Sequence, residues 1–353
     1  MRIRRTLLSG AAVAALVLSS LLAPAAASAT TQSGGGNGHG GPAETMLVSG
    51  LQGASGSTIG PDGALYVTEG AIGQVTRVDL RTGATSPLVT GLPPAIIGIG
   101  GAIDVAFIGR TAYVLVTMVG DDVPGATTND TVGIYRVDGP DSFTVVADIG
   151  QWSIENPPPA DIDIFIARGV QFAMQPSRGG FLVTDGHHNR VLKVSLSGAI
   201  SQLVQFGNIV PTGLTTRGSV VYMAEAGPVP HDPATGKVVS FGRWNPNPRD
   251  VASGYSLLVD VEYGACGLYA LSQGDSPGAV PEGSPALPDS GELLKVNRNG
   301  TFSVVVDGLD LPTSVDFRGD TAYVVTLGGE VWKITDIANH HRGGCGGTGH
   351  HGR

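Results

Sequence analysis

The chain is poor in charge. Only 14% of its 353 residues are Asp, Glu, Lys or Arg, and 30 acids outnumber 21 bases to give a formal net charge of −9. That excludes a nucleic-acid role, which needs a concentrated basic patch to neutralise phosphates. Cysteine is scarcer still. Cys266 and Cys345 are the only two, so the fold is not built on a disulfide framework. Beyond the N-terminus no apolar run reaches the roughly 20 residues of a membrane span. Lys and Glu are few, whereas Gly (54 residues), Val, Ile and Thr are plentiful. This balance argues against a helical bundle and for many short strands joined by tight turns. Catalytic signatures are missing too: there is no G-x-S-x-G elbow, no H-E-x-x-H helix and no Gly-rich phosphate loop between a strand and a helix.

What is present begins with a basic start (Arg2, Arg4, Arg5), an apolar stretch from Leu7 to Ala23, and Ala27-Ser28-Ala29. That order reads as a secretory signal, residues 1–29, with cleavage after Ala29 and an extracellular destination. Residues 30–43 form a Gly-rich leader, 44–337 the folded unit, and 338–353 a Gly/His-rich tail too poor in apolar residues to fold.

Within the folded unit one pattern recurs six times. A β-branched and aromatic segment appears as LYVTEG (65–70), AYVLVT (112–117), FLVTDG (181–186), VYMAEA (221–226), LYALSQ (268–273) and AYVVTL (322–327). A second strand follows each, from GQVTRVDL (73–80) to GEVWKITD (329–336), and a third follows each of the first five. Another short strand precedes each copy. Units of roughly 40 residues and four antiparallel strands are β-propeller blades. The expected fold is therefore all-β, a six-bladed propeller. The sixth unit lacks its outer strand, and TMLVSGL (45–51) at the N-terminus matches the missing piece, so the N-terminal strand is expected to close the last blade.

GPDGALYVTEG (60–70) with GQVTRVD (73–79), GGAIDVAFIGRTAYVLVT (100–117) and VTDGHHNRVLKV (183–194) together resemble the NHL-like six-bladed propellers, and among them the secreted ScyD/ScyE family. The likeness covers roughly Thr45 to Thr335. It implies an exported propeller and carries over no catalytic residues.

Strand counting adds a polarity. With strands A to D running from the centre outward, A–B and C–D turns share one end of the ring, and B–C loops and D–A links share the other. The tight turns (GPDG, IGRT, SRGG, RNG) fall in the first set, and every long insertion falls in the second: 92–101, 118–131, 151–168, 226–236 and 272–290. Long irregular loops on a rigid scaffold are where binding and chemistry reside. These loops hold Asp121, Asp122, Asp130, Glu155, Asp161, Asp163, Asp232, Asp275, Glu282 and Asp289 against one base, Arg168. Asp104, Asp260 and Asp316, near the starts of innermost strands, are expected at the channel mouth, where they could hold a Ca²⁺ ion. Arg168 and the adjacent His187 and His188 are further ligand-binding candidates, although neighbouring side chains in extended backbone point apart.

Two functions follow. One is a monomeric binding or scaffold module, taking a small ligand, a cation or a protein on its acidic end. The other is a metal-dependent, lactonase-like hydrolase with a single Ca²⁺ at the channel mouth. Such hydrolases hold their metal with Asn beside Glu and Asp, and here Asn208 is the only asparagine well placed for that. Finally, Cys266 and the tail bearing Cys345 belong to the same end of the ring, so a Cys266–Cys345 disulfide is a candidate in an oxidising compartment.

Overall fold

The computed structural model describes residues 41–159, 166–229, 232, 234–278 and 284–340. The first strand, β1 (Ala43–Val48), belongs to the last blade. Blade 1 comprises β2 (Ala54–Ile59), β3 (Leu65–Glu69), β4 (Gln74–Val78) and β5 (Thr85–Val89). Blade 2 comprises β6 (Gly101–Ile108), β7 (Thr111–Thr117), β8 (Gly133–Gly139) and β9 (Ser142–Asp148). A short helix, α1 (Ile149–Glu155), leads to blade 3, with β10 (Gln171–Ser177), β11 (Gly180–Asp185), β12 (Arg190–Ser195) and β13 (Ile200–Gln205). Blade 4 holds β14 (Pro211–Arg217), β15 (Val220–Glu225), β16 (Gly236–Gly242) and β17 (Arg249–Tyr255). Blade 5 holds β18 (Leu258–Gly264), β19 (Gly267–Ser272), β20 (Gly291–Val296) and β21 (Phe302–Leu309). Blade 6 holds β22 (Pro312–Arg318), β23 (Thr321–Thr326) and β24 (Val331–Thr335).

Each blade is one four-stranded antiparallel sheet, and the sixth has the order β1-β24-β23-β22. The N-terminal strand thus supplies the outer strand of the last blade, with Glu44 opposite Ile334 and Met46 opposite Trp332. The innermost strands β2, β6, β10, β14, β18 and β22 neighbour one another in that order, and β22 returns to β2, so the ring is closed.

Strand composition explains the layering. The B strands are apolar on both faces because a blade packs on each side of them; β3 and β11 are buried along their whole length. The recurring tyrosine of this strand bridges blades. Tyr66 packs on Phe107, Tyr222 on Tyr263 and Tyr269 on Phe317, each an aromatic of the next blade's inner strand, with ring centroids 4.8–5.4 Å apart. Outer strands such as β5 and β9 are largely exposed to solvent. All six inner strands carry a bulge in their pairing with strand B, for example between Ala102 and Asp104 and between Leu258 and Asp260. A bulge re-aims the side chains beyond it, and here it turns polar ones towards the channel.

One element departs from the all-β expectation. Residues 151–168 were expected as an irregular insertion, yet the segment opens with α1. Asp148 caps it, accepting from Gln151 N at 2.7 Å, and Asn156 N closes it on Trp152 O.

Candidate functional site

The strand order puts the 118–132, 226–235 and 273–290 loops and the 90–100 and 149–170 links at one end of the ring. Their described parts are braced from within. Arg168 donates from Nη2 to Asp121 at 2.8 Å and from Nη1 to Asp122 at 2.6 Å, and a longer contact reaches Asn129. The one base of these insertions therefore ties two of their acids down and pins the 118–132 loop to the start of blade 3. Asn208 clasps the 226–235 loop in the same manner, donating to Val229 O and accepting from Val229 N. Its amide oxygen and nitrogen each hold a backbone group of Val229, so the side chain serves the loop. Leu287 N donates to Asp275 O, and Ser290 Oγ accepts from Asp275 N. Asp161, Asp163 and Glu282 lie outside the described residues.

Asp104, Asp260 and Asp316 line one cavity of about 70 Å³ inside the channel, together with Glu262. Each carboxylate is already in use as a clasp between blades. Asp104 accepts from Val105 N and, across the seam, from Met174 N of blade 3 at 2.7 Å. Asp260 accepts from Val261 N and from Val315 N of blade 6 at 2.8 Å. Asp316 accepts from Ser57 Oγ at 2.7 Å and from Ile59 N, both in blade 1. Glu262, which sequence reasoning missed, accepts from Tyr263 N and from Thr215 Oγ1 of blade 4.

Burial is the dominant influence on all four. It pushes Asp104 well above the ordinary carboxylate range, Asp260 up to about 7, Glu262 up to about 8 and Asp316 up to about 6. Mutual repulsion adds to the rise of the first three. The three aspartates have both oxygens taken by backbone or hydroxyl donors, whereas both donors to Glu262 reach its Oε1. Carboxyls pushed towards their neutral form bring little of the negative charge with which carboxylates attract Ca²⁺. Among the described residues no three of His, Cys, Asp and Glu are disposed to hold a metal ion.

The histidine pair sits in the B–C turn of blade 3. His188 is fully buried; its Nε2 donates to Ile166 O at 2.7 Å, and its Nδ1 lies 2.8 Å from Arg190 Nη2 and 3.1 Å from Asp185 Oδ2. Arg190, also buried, bonds Asp185, Asn156 O and Ser153 Oγ, and its guanidinium lies 4.9 Å from the Trp152 ring centroid. Burial works to raise the Asp185 carboxyl, but His188 and Arg190 outweigh it and hold that group below the usual range. Sequence reasoning named the histidines and overlooked Asp185 and Arg190, around which the network is built. This cluster anchors α1 and the following link to blade 3. His187 is half-buried beside it.

Cys266 occupies the A–B turn of blade 5, where its carbonyl accepts from Lys295 Nζ. Its proposed partner Cys345 lies outside the described residues.

Comparison with known proteins finds no matching family and no matching curated sequence. Solved structures do match. Virginiamycin B lyase of Staphylococcus aureus superposes with a TM-score of 0.51 at 11% identity, covering 83% of this chain and 98% of that one. A putative gluconolactonase gives 0.53 at 12%, covering 84% and 92%. The PQQ-bound aldose sugar dehydrogenase of Streptomyces coelicolor gives 0.53 at 14%, covering 83% and 98%. Identity this low establishes the shared propeller fold and carries no activity with it.

Proposed function

We propose that the chain is an exported binding module whose insertion-bearing end receives a positively charged partner, a small molecule or a protein. One observation carries this reading. The long connections gather at one end, and among their described residues seven acids (Asp121, Asp122, Asp130, Glu155, Asp232, Asp275, Asp289) stand against a single Lys or Arg, Arg168, already taken by two of them. Bracing by Arg168 and Asn208 favours a preformed surface, which lowers the ordering cost of association. Export rests on residues 1–29, and N-terminal sequencing of the secreted protein should begin at Thr30.

Titration with a lysine-rich peptide tests the site. Saturable binding that weakens as salt rises is the expected result; equal binding of an acidic peptide of the same length would sink the reading. The hydrolase alternative rests on four carboxyl groups sharing one channel cavity. Three of the four, the aspartates, are clasped between blades at both oxygens. Lactone hydrolysis is expected to stay at the buffer rate with or without added Ca²⁺.

A further inference from the structure

The end of the ring opposite the insertions carries a second cavity, of about 300 Å³, between blades 3 and 4. The A–B and C–D turns of blade 3 wall it on one side, and Arg243 and Trp244, from the C–D turn of blade 4, on the other. Leu196 N donates to Gly179 O, tying the first two turns together, and Arg243 N donates to Ser219 O. The walls are thus held by backbone.

The lining is one-signed. Arg178, Lys193 and Arg243 contribute to it, and no Asp or Glu does, in a chain whose net charge is −9. Among the described residues none of these three cations pairs with a carboxylate. Arg243 Nε is shielded from solvent and has no acceptor among the described residues. Leaving such a donor unmatched is costly, more so on a charged group, and marks the Arg243 guanidinium as not neutralised by the protein around it. Beside the cations Trp244 stands 65% exposed, with Lys193 Nζ 5.4 Å from its ring centroid. A large indole left in water next to an ammonium presents a flat apolar platform and a charge together. The volume falls at the small end of ligand sites, roughly 300–1,000 Å³. It suits a molecule the size of one sugar ring and exceeds what an inorganic ion fills.

We propose that this cavity binds a monosaccharide-sized organic anion, a sugar acid or sugar phosphate, with its carboxylate or phosphate among Arg178, Lys193 and Arg243 and its ring face on Trp244. The site is independent of the acidic end, so either can fail without the other.

Calorimetric titration of the full chain with glucuronate, glucose 6-phosphate, glucose and inorganic phosphate tests it. At least one of the two sugar anions should saturate the site, and whichever does identifies the anionic group. Glucose and inorganic phosphate should each bind at least about tenfold more weakly. Arg243→Gln and Trp244→Ala should each weaken the sugar anion about tenfold, the former because a charged hydrogen bond is lost. Arg178→Gln, at an exposed side chain that cannot disturb the core, should weaken binding too and provides the check if Arg243→Gln folds poorly. The proposal is overturned by no saturable binding of either sugar anion up to about 10 mM. Phosphate binding as tightly as the sugar anions, or unchanged affinity in Trp244→Ala, would overturn it equally.

Discussion

Gly56 and Gly213 do their work through what they lack. A Cβ on Gly56 would stand 2.4 Å from Asp104 Oδ1 and 2.6 Å from Ile103 O; on Gly213 it would stand 2.2 Å from Asp260 Oδ1 and 2.6 Å from Asp260 Cα. Each glycine opens the space in which the next blade's aspartate turns to clasp the blade after it. Because backbone as well as carboxylate is in the way, Gly213→Ala should destabilise by about 1–3 kcal/mol, read as a lower denaturant midpoint at unchanged slope. The clasps also set a pH dependence. Asp104, Asp260, Glu262 and Asp316 are all raised by burial, so above the ordinary carboxylate range the folded chain retains protons that the unfolded chain has released. Stability from these groups is therefore greatest at acid pH and falls as pH climbs through their folded values. Asp185, held low, has the opposite sign and loses its contribution only below the ordinary range. The melting temperature should peak near about pH 4–5 and decline towards about pH 8, and Glu262→Gln should flatten the upper part of that decline. The three aspartates were legible in the sequence as acids near strand starts. Their purpose was not, because the partners lie on other blades and the glycines that admit them look like any turn residue.

Among the elements, β1 and α1 differ most in how readable they were. The B strands and β1 show as apolar runs with a repeated register, so the missing sixth outer strand could be matched to 45–51 from pattern alone. The helix was hidden because its first residues continue a β-branched run, Phe143–Ile149. Its signal was there nonetheless: Asp148 followed three positions later by Gln151 is a capping pattern, and the prolines 157–159 end any helix. Deleting residues up to Gln52 removes β1 and leaves the edge of β24, with Trp332 and Ile334, unpaired. Such a chain should melt at lower temperature and aggregate on heating, as light scattering would record. The α1 anchor offers a second test. Arg190→Met keeps much of the packing on Trp152 but strands Asp185 in the interior, which should destabilise by about 3–5 kcal/mol in a denaturant titration.

For the molecule as a whole, the ring form and its polarity could both be read from repeats, since blade number and strand order are local, periodic properties. The basic cavity could not, because it is assembled from turns that are tight and unremarkable in sequence, two from blade 3 and one from blade 4. One whole-chain link remains a proposal, the Cys266–Cys345 bridge. Thiol titration of denatured, unreduced protein should find no reactive thiol, and two per chain would rule the bridge out.

Closure itself has a kinetic side. Blade 6 meets blade 1 through Thr313 and Ser314, both donating to Ser55 O, and through Asp316 accepting from Ser57 and Ile59, pairs 257–259 residues apart in the chain. Every other seam joins neighbours along the polypeptide. Contacts of such separation can form only after the intervening blades are in place, and they place a chain among slow folders. Refolding should therefore pass through an open arc of finished blades with two raw edges, and that arc is the species that a second molecule could join before the first molecule closes on itself.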